Sequence, residues 1–200
     1  MTAKTDKRTG RRERTTKETS ILVDLRLDGA GLAEIDTGLP FFDHMLNLAT
    51  AHGRFDLTVK ASGDLEVDGH HTVEDIGLTL GAALAEALGD KAGITRYGQA
   101  YVPMDEALAR AVIDLSGRPY LAFRAELNQD RVGGFESYLV RDFFQALVNE
   151  SKATLHLDAW HGQSAHHTIE ALFKAFGRAL GQAVAMVPGS ADIPSTKGVL

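Results

Sequence analysis

Hydrophobic and polar positions follow two periods along this chain, and the periods alternate in the same order twice. Phe55 to Lys60 and Thr154 to Ala159 alternate apolar with polar residues, as a half-buried strand does. A stretch with apolar residues at helical spacing precedes each, opening at Phe42-Asp43-His44-Met45-Leu46 and at Arg141-Asp142-Phe143-Phe144-Gln145. After each strand comes a polar, glycine-containing loop, residues 61–69 and 160–165, and then a second helical stretch. The spacing predicts these helices over about 72–88 and 168–186, with Gly89 and Pro188-Gly189 as stop signals. Hairpin-like segments open both halves. Thr19 to Leu27 and Glu34 to Gly38 flank Asp28-Gly29-Ala30-Gly31; Gln99 to Met104 and Leu108 to Asp114 flank Asp105-Glu106-Ala107, with a further strand at Tyr120 to Glu126. The expected fold is α+β, two similar halves at 14–92 and 93–188 packed into one unit. A flexible N-terminal tail is expected at 1–13 and a C-terminal tail at 189–200.

One motif is carried twice. His70-His71-Thr72-Val73-Glu74 recurs 96 residues later as His166-His167-Thr168-Ile169-Glu170. Neutral histidine is the commonest metal ligand, and a carboxylate one helical turn away lies on the same face. A single copy reads equally well as local capping at a helix start; two copies inside a longer repeat point to metal. Neighbouring helical residues point about 100° apart, so each His pair is expected to serve two ions, or one ion and a hydrogen bond. His44 and Asp142 hold equivalent places in the first helix of each half. Adding them gives two sets of four: His44, His70, His71, Glu74, and Asp142, His166, His167, Glu170. Nitrogen and oxygen donors without sulfur suit Mn, Fe, Co, Ni or Zn, and the carboxylate share tilts the choice to Mn or Fe.

Composition narrows the classes. The chain has 200 residues, no cysteine and a formal net charge of -6. Disulfides and thiolate metal sites are excluded, and a general nucleic-acid binder is disfavoured. Without an apolar membrane span or signal core, a cytoplasmic protein is expected. Arg96 and Arg118 could clamp a phosphate or be plain surface arginines. Ser195-Thr196-Lys197-Gly198 suits an anion-binding loop or a loose tail. Lys174 could pair with Glu170 four residues earlier or contact a substrate anion. His52, two turns after His44, could face the same cavity.

Ordered motifs then carry a resemblance over nearly the whole chain from Arg14 onward. They are F-F-D-H-M-L at 41–46, A-H-G-R-F-D at 51–56, G-D-L-E-V-D-G-H-H-T-V-E-D at 63–75, R-Y-G at 96–98, V-P-M-D-E-A-L at 102–108, D-L-S-G-R-P at 114–119, A-H-H-T-I-E-A-L-F-K-A-F-G-R-A-L at 165–180 and P-S-T-K-G-V-L at 194–200. Together they resemble the imidazoleglycerol-phosphate dehydratases of histidine biosynthesis. The resemblance implies a duplicated half of the ribosomal-protein-S5-domain-2-like type, with two sheets and their helices packed together. It also implies two Mn2+ per active site, sites assembled between subunits, and a 24-subunit homo-oligomer. One departure stands out: many members have E-H-F-F where this chain has Arg141-Asp142-Phe143-Phe144, so Asp142 occupies a usual histidine position. A carboxylate remains a competent Mn ligand.

The reaction implied is a hydro-lyase step, EC 4.2.1.19, from imidazole glycerol phosphate to imidazole acetol phosphate and water. The proton to be lost is not acidic in the substrate. In the implied mechanism the ring binds both metals as an imidazolate and expels the neighbouring hydroxyl through a diazafulvene-like intermediate. Matching positions make His44, His52, His70, Arg96, Arg118, Lys174, Ser195 and Lys197 substrate-binding residues. Glu18 is implied as both a substrate contact and the proton shuttle. The donor set alone would equally support a dinuclear metallohydrolase of a phosphorylated metabolite; a second alternative, from another class, is a non-catalytic metal-storage or assembly protein.

Overall fold

Each alternating segment forms a strand and each 3.6-period segment a helix, in an order that repeats. The computed structural model describes residues 8–200. The first half comprises β1 (Thr9–Thr15), β2 (Thr19–Arg26), β3 (Ala33–Asp36), α1 (Pro40–Gly53), β4 (Asp56–Gly63) and α2 (His70–Leu88). The second comprises β5 (Tyr97–Met104), β6 (Ala107–Asp114), β7 (Tyr120–Arg124), the short hairpin β8 (Arg131–Val132) and β9 (Phe135–Glu136), α3 (Leu139–Ser151), β10 (Thr154–His161) and α4 (Ala165–Val184). The sheets run β1-β2-β4-β3 and β5-β6-β10-β7. In both, the first three strands are antiparallel and the fourth lies parallel to its neighbour. The duplication read from the residue pattern is therefore a duplication of topology. The β8–β9 hairpin breaks the repeat, and two-residue strands leave no periodicity to read.

The expected tail at 1–13 needs correction. Residues 1–7 lie outside the described residues, but Thr9–Thr15 pair with β2 along their whole length, from Thr9 opposite Arg26 to Thr15 opposite Ser20. The segment's charged residues hid the strand, because an edge strand needs no apolar face when its neighbour supplies the core. Its arginines reach acidic partners instead: Arg11 with Asp24, Arg12 with Glu86, Arg14 with Asp75.

Each sheet rests on its own helices, and the halves join through helix pairs, α2 with α3 and α1 with α4. Glycine permits both seams. A Cβ at Gly81 would lie 2.5 Å from the Leu147 carbonyl oxygen, and one at Gly177 would overlap the Ala49 carbonyl. Phenylalanines fill the space between: Phe42 lies 5.1 Å from Phe143, which stacks on Phe173 at 5.7 Å. All three are fully buried. Such aromatic contacts add roughly 0.5–1.5 kcal/mol each beyond the apolar area they bury. These seams set which helix starts become neighbours.

Candidate metal centre

Three donors converge from both halves. His44 lies in the first turns of α1, while His166 and Glu170 project from the first turns of α4, one helical turn apart. Their ligand atoms all lie within 4.8 Å of one another. His44 Nε2 is 3.5 Å and His166 Nε2 3.3 Å from Glu170 Oε2. A second grouping mirrors the first on the α2–α3 seam, where His70 Nδ1 lies 3.3 Å from Asp142 Oδ2. Glu74 follows His70 by four residues, as Glu170 follows His166, but it is exposed.

The grouping expected from the repeat, one set of four within each half, is therefore overturned. His44 joins His166 and Glu170 of the other half, and Asp142 joins His70. The reason is packing: α1 lies on α4 and α3 on α2, so the first helix of each half meets the H-H-x-x-E helix of the other. His71 and His167 belong to neither grouping. The His70 and His71 rings sit 5.8 Å apart at a steep angle, and those of His166 and His167 6.0 Å apart. The 100° step between neighbouring helical residues forces this divergence.

The acids around the two groupings are differently held. Glu170 is buried, which by itself would raise its pKa. The Lys174 ammonium, 2.5 Å away, together with His44 and His166 outweighs burial and holds the carboxyl below its ordinary value. Lys174 thus makes the i,i+4 pair, with Met104 Sδ at 3.6 Å from its Nζ. Two carboxylates absent from the candidates read off the sequence brace the diverging histidines. Asp64 Oδ2 lies 3.0 Å from His71 Nδ1, and Glu106 Oε2 lies 2.7 Å from His167 Nδ1. The carboxylate hydrogen bond raises each histidine's pKa above the usual value. Glu106 is driven down to about 2, first by His167 and then by backbone N–H donors, chiefly that of Ser164. Acidic residues in polar loops are common, so nothing local marked these two.

The remaining candidates fall into three places. Glu18 is exposed in the β1–β2 turn, and its turn is anchored by buried Asp75, which accepts from Arg14 Nε at 2.7 Å and from Thr19 Oγ1 at 2.5 Å. His52 lies at the far end of α1 in a cleft with Arg54 and Arg178; burial, then the charges of Lys174 and Arg178, lower its pKa. Arg96, Arg118, Ser195 and Lys197 line one cleft under the C-terminal tail. There Arg96 Nε donates to Asp114 at 2.7 Å and Nη1 to the Pro194 carbonyl at 2.9 Å, so this arginine both charges the cleft and ties down the tail.

Imidazole and carboxylate donors converging without sulfur fit a divalent first-row metal ion, so the His44–His166–Glu170 group can hold one. No helix among the described residues is long and apolar enough to cross a membrane.

Relatives share this arrangement of sequence and fold. The family profile for imidazoleglycerol-phosphate dehydratase matches residues 37–180. Imidazoleglycerol-phosphate dehydratase of Halorhodospira halophila is 57% identical over 195 residues, covering 97% of this chain and 99% of its own. That of Limosilactobacillus fermentum is 58% identical over 193 residues, covering 96% of this chain and 100% of its own. Among solved structures, the Staphylococcus aureus dehydratase superposes with TM-score 0.82 at 43% identity, over 90% of this chain and 99% of that one. The Pyrococcus furiosus structure, a complex with (S)-C348, gives TM-score 0.82 at 39% identity, over 94% and 100%. With the profile spanning most of the chain and identities this high over nearly its full length, the chain belongs to the imidazoleglycerol-phosphate dehydratase family.

Proposed function

We propose that this chain dehydrates imidazole glycerol phosphate to imidazole acetol phosphate in histidine biosynthesis, using two Mn2+ per active site. The observation that carries the reading is the convergence of His44, His166 and Glu170 from two halves of the fold onto one point. By the pseudo-symmetry, His70, Asp142 and Glu74 would hold the second ion. His71 and His167, aimed away from both groupings, would complete sites on another copy. When bound, such an ion supplies Lewis acidity toward the imidazole ring.

The protein's own groups supply the rest. Arg96, Arg118, Ser195 and Lys197 bind and orient the phosphate, with Asp114 fixing the Arg96 guanidinium. Glu18, an exposed carboxylate on a turn tethered through Asp75, holds or moves a proton at the substrate carbon. Lys174 keeps Glu170 ionised and in place.

Strand geometry supports a site shared between subunits in a homo-oligomer, with the 24-subunit assembly the state this reading favours. Arg96 immediately precedes β5, while Glu106, bonded to His167, follows its far end. An eight-residue strand separates them by about 26 Å at roughly 3.3 Å per residue. That is longer than a small phosphorylated imidazole, so the phosphate cleft and the His167 side of one chain serve different sites.

A Mn-dependent assay that separates ketone product from free phosphate tests the reading. Ketone formation is expected. Release of inorganic phosphate instead would replace it with metal-dependent hydrolysis. Lys197→Ala should raise KM at least tenfold while bound Mn is unchanged; loss of metal would remove Lys197 from the phosphate cleft's role.

A further inference from the structure

The two halves hold their diverging histidines by different means, and the difference follows from loop length. In the first hairpin Thr16 N–H donates to the Thr19 carbonyl at 2.9 Å across the turn, and in the second Met104 pairs with Ala107. Glu18 and Glu106 therefore occupy the same turn position. The register is corroborated by Gly10 and Gly98, each of which lies against a helix carbonyl, that of Ala83 or of Ala179. At the other side of each site, Gly63 faces Thr72 and Gly162 faces Thr168. Nine positions separate the first pair and six the second, so the first loop is longer and carries Asp64.

The short loop of the second half brings no acid of its own to His167. Glu106 reaches in from the hairpin turn instead, and also accepts the loop N–H groups of Ser164 at 2.8 Å and Gln163 at 3.1 Å. In the first half the loop's Asp64 takes His71, and Glu18 makes no hydrogen bond or ion pair through its carboxylate among the described residues.

We propose that Asp64 and Glu106 are the positioning residues of His71 and His167, and that Asp64, by taking over His71, releases Glu18 for the substrate. A carboxylate only accepts, so each ring donates its Nδ1–H and presents a lone pair at Nε2 as the ligand atom. Holding the second nitrogen of a ligating histidine with a carboxylate is how ring orientation and basicity are set. Asp64 Oδ1 is moreover buried without a partner.

The inference rests on the metal-binding reading above. Mn(II) is titrated into metal-free wild type, Asp64→Asn, Glu106→Gln and Glu18→Gln, with ring nitrogen NMR of His71 and His167 recorded before metal is added. Asp64→Asn and Glu106→Gln should each weaken Mn(II) binding about 10- to 100-fold and mix the tautomers of their own histidine. Glu18→Gln should change neither. Unchanged affinity and tautomers in both brace variants would overturn the proposal, and a loss in Glu18→Gln equal to that in Asp64→Asn would assign His71 to Glu18. A wild type that binds no Mn(II) would instead remove the metal reading. Should Glu106→Gln fail to fold, Asp64→Asn alone decides.

Discussion

Glu170 and Glu74 occupy the same place in a duplicated helix, yet one is buried and paired and the other is exposed. Lys174 sits one turn beyond Glu170, whereas the equivalent place beyond Glu74 is Leu78. Opposite them, His44 faces Glu170 and Asp142 faces His70. The α1–α4 seam thus holds a compact group whose acid is compensated before any ion arrives. The α2–α3 seam holds a more open group with an extra carboxylate. Duplicated ligand positions need not be equivalent sites: a neighbour four residues away decides whether an acid is pre-organised or left open to solvent.

The comparison is broken most severely at the helix seams. Gly177→Ala would set a methyl group against the Ala49 carbonyl, part of the backbone that cannot move aside. A loss of about 2–3 kcal/mol, roughly 5–10 °C in Tm, is expected, with a smaller loss for Gly81→Ala, where the clearance is greater. Equal losses by thermal melting would show the seams to be alike.

Removing the acids themselves comes next. In the metal-free protein Glu170→Ala strands a mostly buried Lys174 and should cost about 2 kcal/mol. Glu74→Ala, at an exposed position, should stay within about 0.5 kcal/mol of wild type. Urea unfolding of the two variants reads the difference directly, and matching values would erase the asymmetry claimed for the two groups.

A gentler probe is acid. Glu106 titrates near pH 2 in the folded chain, below its ordinary value of 4.5. Its contribution is complete above that ordinary value and is lost as pH falls toward 2. Between pH 4.5 and 2 the Tm of metal-free wild type should fall more steeply than that of Glu106→Gln. Parallel curves would mean that the bonds to His167 and Ser164 carry no stability.

The smallest effect is expected from Asp142→His, which makes the two groups alike in donor type. It should shift preference from Mn toward Co, Ni or Zn by less than about tenfold, read by competition between the metals. An unchanged preference would separate Asp142 from the metal.

Much of this was legible in the residues, for reasons of different strength. Period-two and 3.6-residue patterns act over short stretches, so helix and strand positions, the duplication and the H-H-x-x-E copies could be read directly. The start of β1 was not legible, because Thr9–Thr15 owe their strand to β2 and carry solvated arginines. Asp64 and Glu106 were hidden because a brace is defined by what it touches, and both touch residues on other elements. Lys174 could be read either way, and only the fold shows that it reaches Glu170.

By itself the sequence determined the candidate donors: two copies of one histidine-rich helix start, two preceding helices bearing His44 and Asp142, and a hydroxyl-bearing tail with one lysine. Only the tertiary structure decided who meets whom. Side-chain spacing within a helix sets which residues share a face. Which face finds which partner depends on close approach between helices far apart in the chain, here permitted by Gly81 and Gly177 and filled by Phe42, Phe143 and Phe173. For that reason His44 meets Glu170 of the other half, and not Glu74 of its own.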